Sequence, residues 1–177
     1  MVQLQISVYI AVSLDGFIAR ENGSLDWLSV VQGTGSEDYG YRAFMDTIDT
    51  VVIGRNTYDT VLGFGEWPFK GKRVIVLTSR PLAPKHGETT HSGELQPLLQ
   101  ALGKLSARRI YLDGGTSVRR GLAEGLVDDL ILSWIPILLG RGRPLFGGDI
   151  PESGWRLSTA KSFPSGVVQA SYRRSPE

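Results

Sequence analysis

Residues 50–62 read TVVIGRNTYDTVL, a four-residue β-branched run that stops at Gly54 and gives way at Arg55 to a short helical segment. A run apolar on both sides of its alternation is what a strand buried on both faces requires, and such strands belong mostly to parallel sheets. The same grammar recurs along the chain. LQISVYIAV (4–12) and RVIVLTS (73–79) read as buried strands, and RRIYLDGG (108–115) as a strand running into the helix TSVRRGLAEG (116–125), capped by Thr or Ser. ELQPLLQALGK (94–104) predicts a helix with Pro97 in its first turn, where a missing N–H costs little. SEDYGYRAFMDTI (36–48) predicts another, with Tyr41, Phe44, Met45 and Ile48 at helical spacing. Strands alternating with helices imply a mostly parallel sheet covered on both faces.

The last third changes character. LVDDLILSWIPILLG (126–140) reads as a long strand, and WRLSTAKSF (155–163) with VVQASYRR (167–174), joined through Pro164-Ser165-Gly166, as an antiparallel hairpin. Residues 81–93 and 140–154 read as loops. The expectation is one α/β domain over residues 1–177. Nineteen Lys and Arg against 18 Asp and Glu leave a formal charge of +1, with no field to draw a nucleic acid. The chain has no cysteine, so thiolate metal sites, disulfides and cysteine nucleophiles are excluded. No signal-like or membrane-spanning run is visible, and a soluble cytoplasmic protein is expected.

In open α/β sheets ligands gather where parallel strands end and helices begin. Three such junctions share a chemistry. Gly54-Arg55-Asn56-Thr57 offers close backbone approach, a guanidinium fork and a threonine to cap the helix. Leu77-Thr78-Ser79-Arg80 offers two hydroxyls and a second arginine. Asp113-Gly114-Gly115-Thr116-Ser117 opens a helix with paired glycines, against whose amides a pyrophosphate can lie. Singly, each is equally read as an ordinary turn; together they suit a phosphorylated dinucleotide. Neither G-x-G-x-x-G nor the P-loop pattern occurs, and Gly140-Arg141-Gly142-Arg143 reads better as a turn than as a phosphate loop. His86 and His91 have no ligand cluster near them, so no metal is expected.

The order of these motifs resembles the dihydrofolate reductase-like superfamily, and within it the reductase domain of the bacterial bifunctional riboflavin-biosynthesis deaminase-reductase and its stand-alone relatives. The residues that carry the likeness are A-x-S-L-D-G-F-I-A (11–19), V-V-I-G-R-x-T-Y (51–58), V-I-V-L-T-S (74–79), D-G-G (113–115) and P-I-L-L-G-R-G-R-P-L-F (136–146). The resemblance implies a three-layer α/β fold whose mostly parallel sheet ends in an antiparallel C-terminal hairpin, and NADPH as cofactor. It implies that Ala11 and Ile18 flank the nicotinamide and that Gly54, Arg55, Asn56 and Thr57 hold phosphates. Leu77, Thr78, Ser79 and Arg80 would surround the adenosine ribose and its 2′-phosphate, and Gly114, Gly115, Thr116, Ser117 and Val118 the pyrophosphate. In the folate enzymes the Gly-Gly bond is cis, so the resemblance implies a cis bond between Gly114 and Gly115.

AVSLDGFIARENGSLDWL (11–28) is too apolar for an idle loop, and the resemblance makes it the segment that closes over the cofactor's flat ring. Trp27 would wall the substrate cleft or pack in the core. Asp15 would contact substrate or hold the loop through its own backbone bonds. Asp38, 16 residues before Gly54, would aid proton delivery or simply stabilise a helix start. The activity implied is NADPH-dependent reduction of a small heterocycle, as in 5-amino-6-(5-phosphoribosylamino)uracil reductase. The alternatives are dihydrofolate reductase activity and a non-catalytic NADPH-binding module. The apolar strand around Trp134, Ile135, Ile137 and Leu138 would serve a homodimer or lie inside the sheet.

Overall fold

A computed structural model describes residues 4–31 and 37–176. Its centre is an eight-stranded sheet in the order β5-β4-β3-β6-β1-β7-β10-β9. β1 is Gln5–Ser13, β3 Thr50–Gly54, β4 Arg73–Leu77, β5 Thr89–His91, β6 Arg109–Asp113 and β7 Asp129–Ile135. These six are parallel to one another, whereas β9 (Trp155–Ser162) and β10 (Val168–Arg174) form an antiparallel hairpin whose β10 pairs antiparallel to β7 and extends the sheet beyond it. β2 (Phe17–Ala19) and β8 (Arg143–Pro144) make a separate two-stranded ribbon.

Period-two alternation assigns each strand's side chains to two cores. Val52 and Leu112 face α3 (Leu95–Lys104) and α4 (Gly115–Ala123), joining Leu95, Leu99, Val118 and Leu122. Val51, Ile53 and Tyr111 face the other way and join Phe44 and Met45 of α1 (Tyr41–Asp46) and Tyr58 and Val61 of α2 (Arg55–Val61). Each fully buried aliphatic side chain contributes about 1.5–3 kcal/mol, so a one-residue slip of β3 would forfeit both cores together. A third cluster gathers Trp27, Val31, Ile135, Phe163 and Val167, with Ala11 and Leu28 against it. Much of the apolar character of residues 11–28 is spent there: the 3₁₀ turn Asp26–Val30 drives Trp27 inward.

Several expectations are corrected. α1 starts at Tyr41, because Tyr39 (φ 54°) and Gly40 (φ 83°) adopt left-handed conformations immediately before it; Ser36 lies outside the described residues. β7 stops at Ile135, where Pro136 cannot continue the ladder. It is hydrogen-bonded on both sides, to β1 and β10, so it has no free edge to pair across a dimer. Neither α2 nor α4 has a side-chain cap: Gly54 and Gly114 occupy the capping positions. Gly114 makes its turn with φ 92° in a trans peptide; no cis bond occurs among the described residues, so the expected cis Gly114–Gly115 bond is absent. The predicted loops 81–93 and 140–154 each carry a short strand, β5 and β8.

Among the described residues no helix is long and apolar enough to cross a membrane.

Candidate functional site

Because β3 and β6 are parallel neighbours, α2 and α4 begin side by side at one edge of the sheet. The two helix starts touch. A Cβ on Gly54 would stand 2.9 Å from Ser117 Oγ, and one on Gly114 2.6 Å from Thr57 Oγ1. Glycine is therefore required at both positions, and at Gly114 its positive φ requires it a second time. Both helix starts line a cleft of about 800 Å³. From the first junction Gly54, Arg55, Asn56 and Thr57 line it; from the third, Gly114, Gly115, Thr116 and Ser117; from the second, Leu77.

Thr78, Ser79 and Arg80 lie outside this lining. Thr78 Oγ1 accepts the Arg80 amide at 3.0 Å, and Arg80 reaches back to Asn56 Oδ1 at 3.3 Å, so this turn braces the first junction. Arg55 donates through Nε to both oxygens of Asp59 at 2.9 and 3.0 Å and through one terminal nitrogen to the Pro81 carbonyl at 3.1 Å. Val118, expected near a pyrophosphate, is fully buried in the core beneath, and only its amide meets the turn, on Gly114 O at 2.8 Å.

Ala11 and Ile18 also line the cleft. The β2–β8 ribbon carries Ile18, and the site a Cβ on Gly115 would occupy is taken by Ile18 Cδ1. Asp15 fixes the ribbon's approach instead of facing the cleft. Its carboxylate accepts Ser13 Oγ at 2.6 Å, Leu139 N at 3.1 Å and Gly140 N at 2.7 Å, and the Ser13 bond chiefly holds its pKa below the ordinary value. Of the two readings for Asp15, the geometry matches the loop clamp. Arg119 adds a 2.6 Å bond to the Pro144 carbonyl, pinning the far strand of the ribbon.

Asp38 is exposed and lines no part of the cleft. It accepts the Gly40 amide at 2.9 Å and the Arg42 amide at 3.1 Å, which hold its pKa below the ordinary value, so the partly buried acid expected there is not found. Two acids do line the cleft: Asp59, which is paired with Arg55, and Asp113, the last residue of β6. Burial pushes the Asp113 carboxyl up to about 6, against the opposing pull of the Gly114 amide, which donates to Oδ1 at 2.8 Å, and of Tyr111. Tyr9 and Tyr111 stand beside it in the cleft wall, and burial raises both phenols, Tyr9 to about 12. Asp113 was visible as a carboxylate closing a buried strand just before two glycines; what hid it was its neighbourhood, which only tertiary structure supplies.

Trp27 also lines the cleft. It is 2 % exposed and its indole N–H has no hydrogen-bond partner among the described residues. An orphaned buried donor costs about 1–3 kcal/mol and calls for an acceptor.

The three-layer sheet, the glycine-opened helix pair and the ribbon over them define a dihydrofolate reductase-like protein. Residues 5–169 match the RibD C-terminal domain, and the chain belongs to that family. It is 37% identical over 171 residues to the uncharacterized protein YwjB of Bacillus subtilis, covering 95% of this chain and 97% of that one. A putative riboflavin biosynthesis protein from Shewanella sp. PV-4 superposes with a TM-score of 0.90 at 34% identity, covering 98% of this chain and all of the other (100%). Dihydrofolate reductase from Enterococcus faecalis, solved with NADP(H), shares the fold with a TM-score of 0.65 at 16% identity, over 97% of both chains.

Proposed function

We propose that the chain is an NADPH-dependent reductase of a small flat heterocycle of the pyrimidine or pteridine kind. One observation carries this reading: a single cleft joins two glycine-opened helix starts to a half-buried carboxyl raised to about 6. The donor set suits a dinucleotide. Amides at Gly54–Thr57 and Gly114–Ser117 would receive its phosphates, Arg55, with Arg80 bracing the junction through Asn56, its 2′-phosphate, and Ala11 and Ile18 would bracket the nicotinamide. When bound, NADPH supplies the hydride.

The chain's own part is orientation and proton placement. The Trp27 N–H donates to a carbonyl oxygen or ring nitrogen of the substrate, fixing the ring in its plane. Asp113 holds a proton beside the cleft and delivers it to the ring nitrogen next to the carbon that accepts hydride, so that a C=N bond is reduced to CH–NH. The β2–β8 ribbon, with Ile18 over Gly115, excludes water from the reacting face.

The test is a titration with NADPH and NADH, followed by NADPH oxidation in the presence of pterins and aminouracils. Selective binding of NADPH with substrate-dependent consumption supports the reductase. Saturation with no consumption by any ring would leave a nucleotide-binding module, and no binding of either cofactor would overturn the reading.

A further inference from the structure

Tyr39 is held at both ends. Its carbonyl accepts the Tyr9 hydroxyl of β1 at 2.8 Å and the Gln169 side-chain amide of β10 at 3.0 Å. Its hydroxyl bridges the Val31 carbonyl at 3.3 Å and Ser165 Oγ, in the turn of the C-terminal hairpin, at 3.1 Å. Its ring meets Phe163 edge-on, with centroids 4.9 Å apart. All this is done from a φ of 54°, a left-handed conformation that a bulky residue keeps only where its surroundings impose it.

What Tyr39 braces is the turn that carries Trp27. The 3₁₀ turn Asp26–Val30 is five residues long, has no side-chain cap at its start among the described residues, and is closed by the Val31 amide on the Leu28 carbonyl at 3.2 Å. So short a turn does not fix its own place; its contacts do. Val31 and Trp27 pack with Phe163 and Val167, which flank the hairpin turn, and the Tyr39 hydroxyl ties Val31 to Ser165 between those two. Trp27 lines the cleft with its N–H unpartnered among the described residues, whereas Tyr39 lines no part of it.

We infer that Tyr39 is a positioning residue: it clamps the Trp27 turn to the C-terminal hairpin and so fixes the direction in which the Trp27 N–H meets the substrate ring. The inference rests on the reductase reading, which places that ring against Trp27. Direction matters because a hydrogen bond weakens steeply as its angle departs from linear. The hairpin thereby takes part in recognition although none of its described residues lines the cleft.

The experiment takes two readouts on the full chain. In NMR spectra of the free, nitrogen-labelled protein the Trp27 indole N–H is identified by its loss in Trp27→Phe, and Tyr39→Phe should move that resonance while leaving those of Trp67 and Trp155 in place. Calorimetry on the NADPH-loaded protein then gives the affinities for 5,6-diaminouracil and pterin. Tyr39→Phe should bind the better of the two about three- to tenfold more weakly, and Trp27→Phe about tenfold more weakly. The double variant should lose no more than Trp27→Phe alone, because Tyr39 acts through the donor already removed. NADPH affinity in Tyr39→Phe should stay within about twofold, since the clamp touches no part of the cofactor site. Normal ring binding with an unmoved indole, additive losses, or a parallel loss of NADPH affinity in Tyr39→Phe would overturn the inference alone. If neither ring binds the unaltered protein beside NADPH, the reductase reading fails and takes the inference with it.

Discussion

Asp113 and Arg55 show how one residue's surroundings decide its work. The Asp113 carboxyl, raised to about 6 by burial, retains a proton at pH values where an exposed aspartate has lost it. A proton donor of this kind is active below its pKa and spent above it. The maximal rate should therefore fall as pH rises through about 6, in pre-steady-state hydride transfer with the cofactor saturating. Asp113→Asn keeps the shape and loses the proton, so the rate should drop about 10²–10⁴-fold and the pH dependence should vanish with it. Arg55 is a different case, because its charge is shared with Asp59 on one side and Pro81 on the other. That pairing orients the fork. Arg55→Ala should weaken NADPH by about tenfold or more and leave NADH within about twofold, read by titration; equal losses would remove the 2′-phosphate contact from its account.

At the scale of elements, the site exists because two helices start at adjacent strands with no room for a side chain between them. Gly114→Ala puts a methyl group 2.6 Å from Thr57 Oγ1 at a residue whose φ is 92°. The expected cost is about 1–3 kcal/mol of stability from the backbone alone, seen as a lower urea midpoint, together with weaker NADPH binding as α2 and α4 are pushed apart. Gly87→Ala, also at positive φ but with open space around it, is the control that should lose stability and keep cofactor affinity. These junctions could be read from sequence because a strand's apolar run and the glycines that end it are local signals. Strands β1, β3, β4, β6 and β7, the C-terminal hairpin and the lining glycines were legible for that reason, whereas the short β5 was not. What was not legible depends on distant partners: Asp38 sits at a plausible spacing yet is exposed, while Asp113 holds its proton only through the burial that the surrounding walls impose.

For the molecule as a whole, Asp113 and Glu88 pull the pH dependence of stability in opposite directions. Glu88 is 3% exposed, yet its carboxyl is held near 2: burial pushes it upward, and the Tyr58 hydroxyl with the amides of Lys85 at 2.7 Å and His86 at 2.7 Å outweighs that. Its pKa is depressed on folding, so its contribution is complete above the unfolded value of about 4.5 and is lost as pH falls towards 2, on the order of 3 kcal/mol. Asp113 is raised on folding, from 3.8 to about 6, and the folded state therefore binds more protons across that window. Its penalty is complete above about 6 and disappears by 3.8, again on the order of 3 kcal/mol. Urea unfolding across the pH scale should then show stability rising as pH falls from 7 to about 5 and declining below about 4. Asp113→Asn should raise stability at pH 7 by about 1–3 kcal/mol and flatten the neutral side of the curve, even as it abolishes turnover. Glu88→Gln should flatten the acid side and cost about 2–3 kcal/mol at neutral pH, because an amide offers one acceptor oxygen where three donors converge. An acid that destabilises the fold at the pH where its proton is used is retained for its chemistry; if Asp113→Asn leaves neutral stability unchanged, that explanation for its burial is lost.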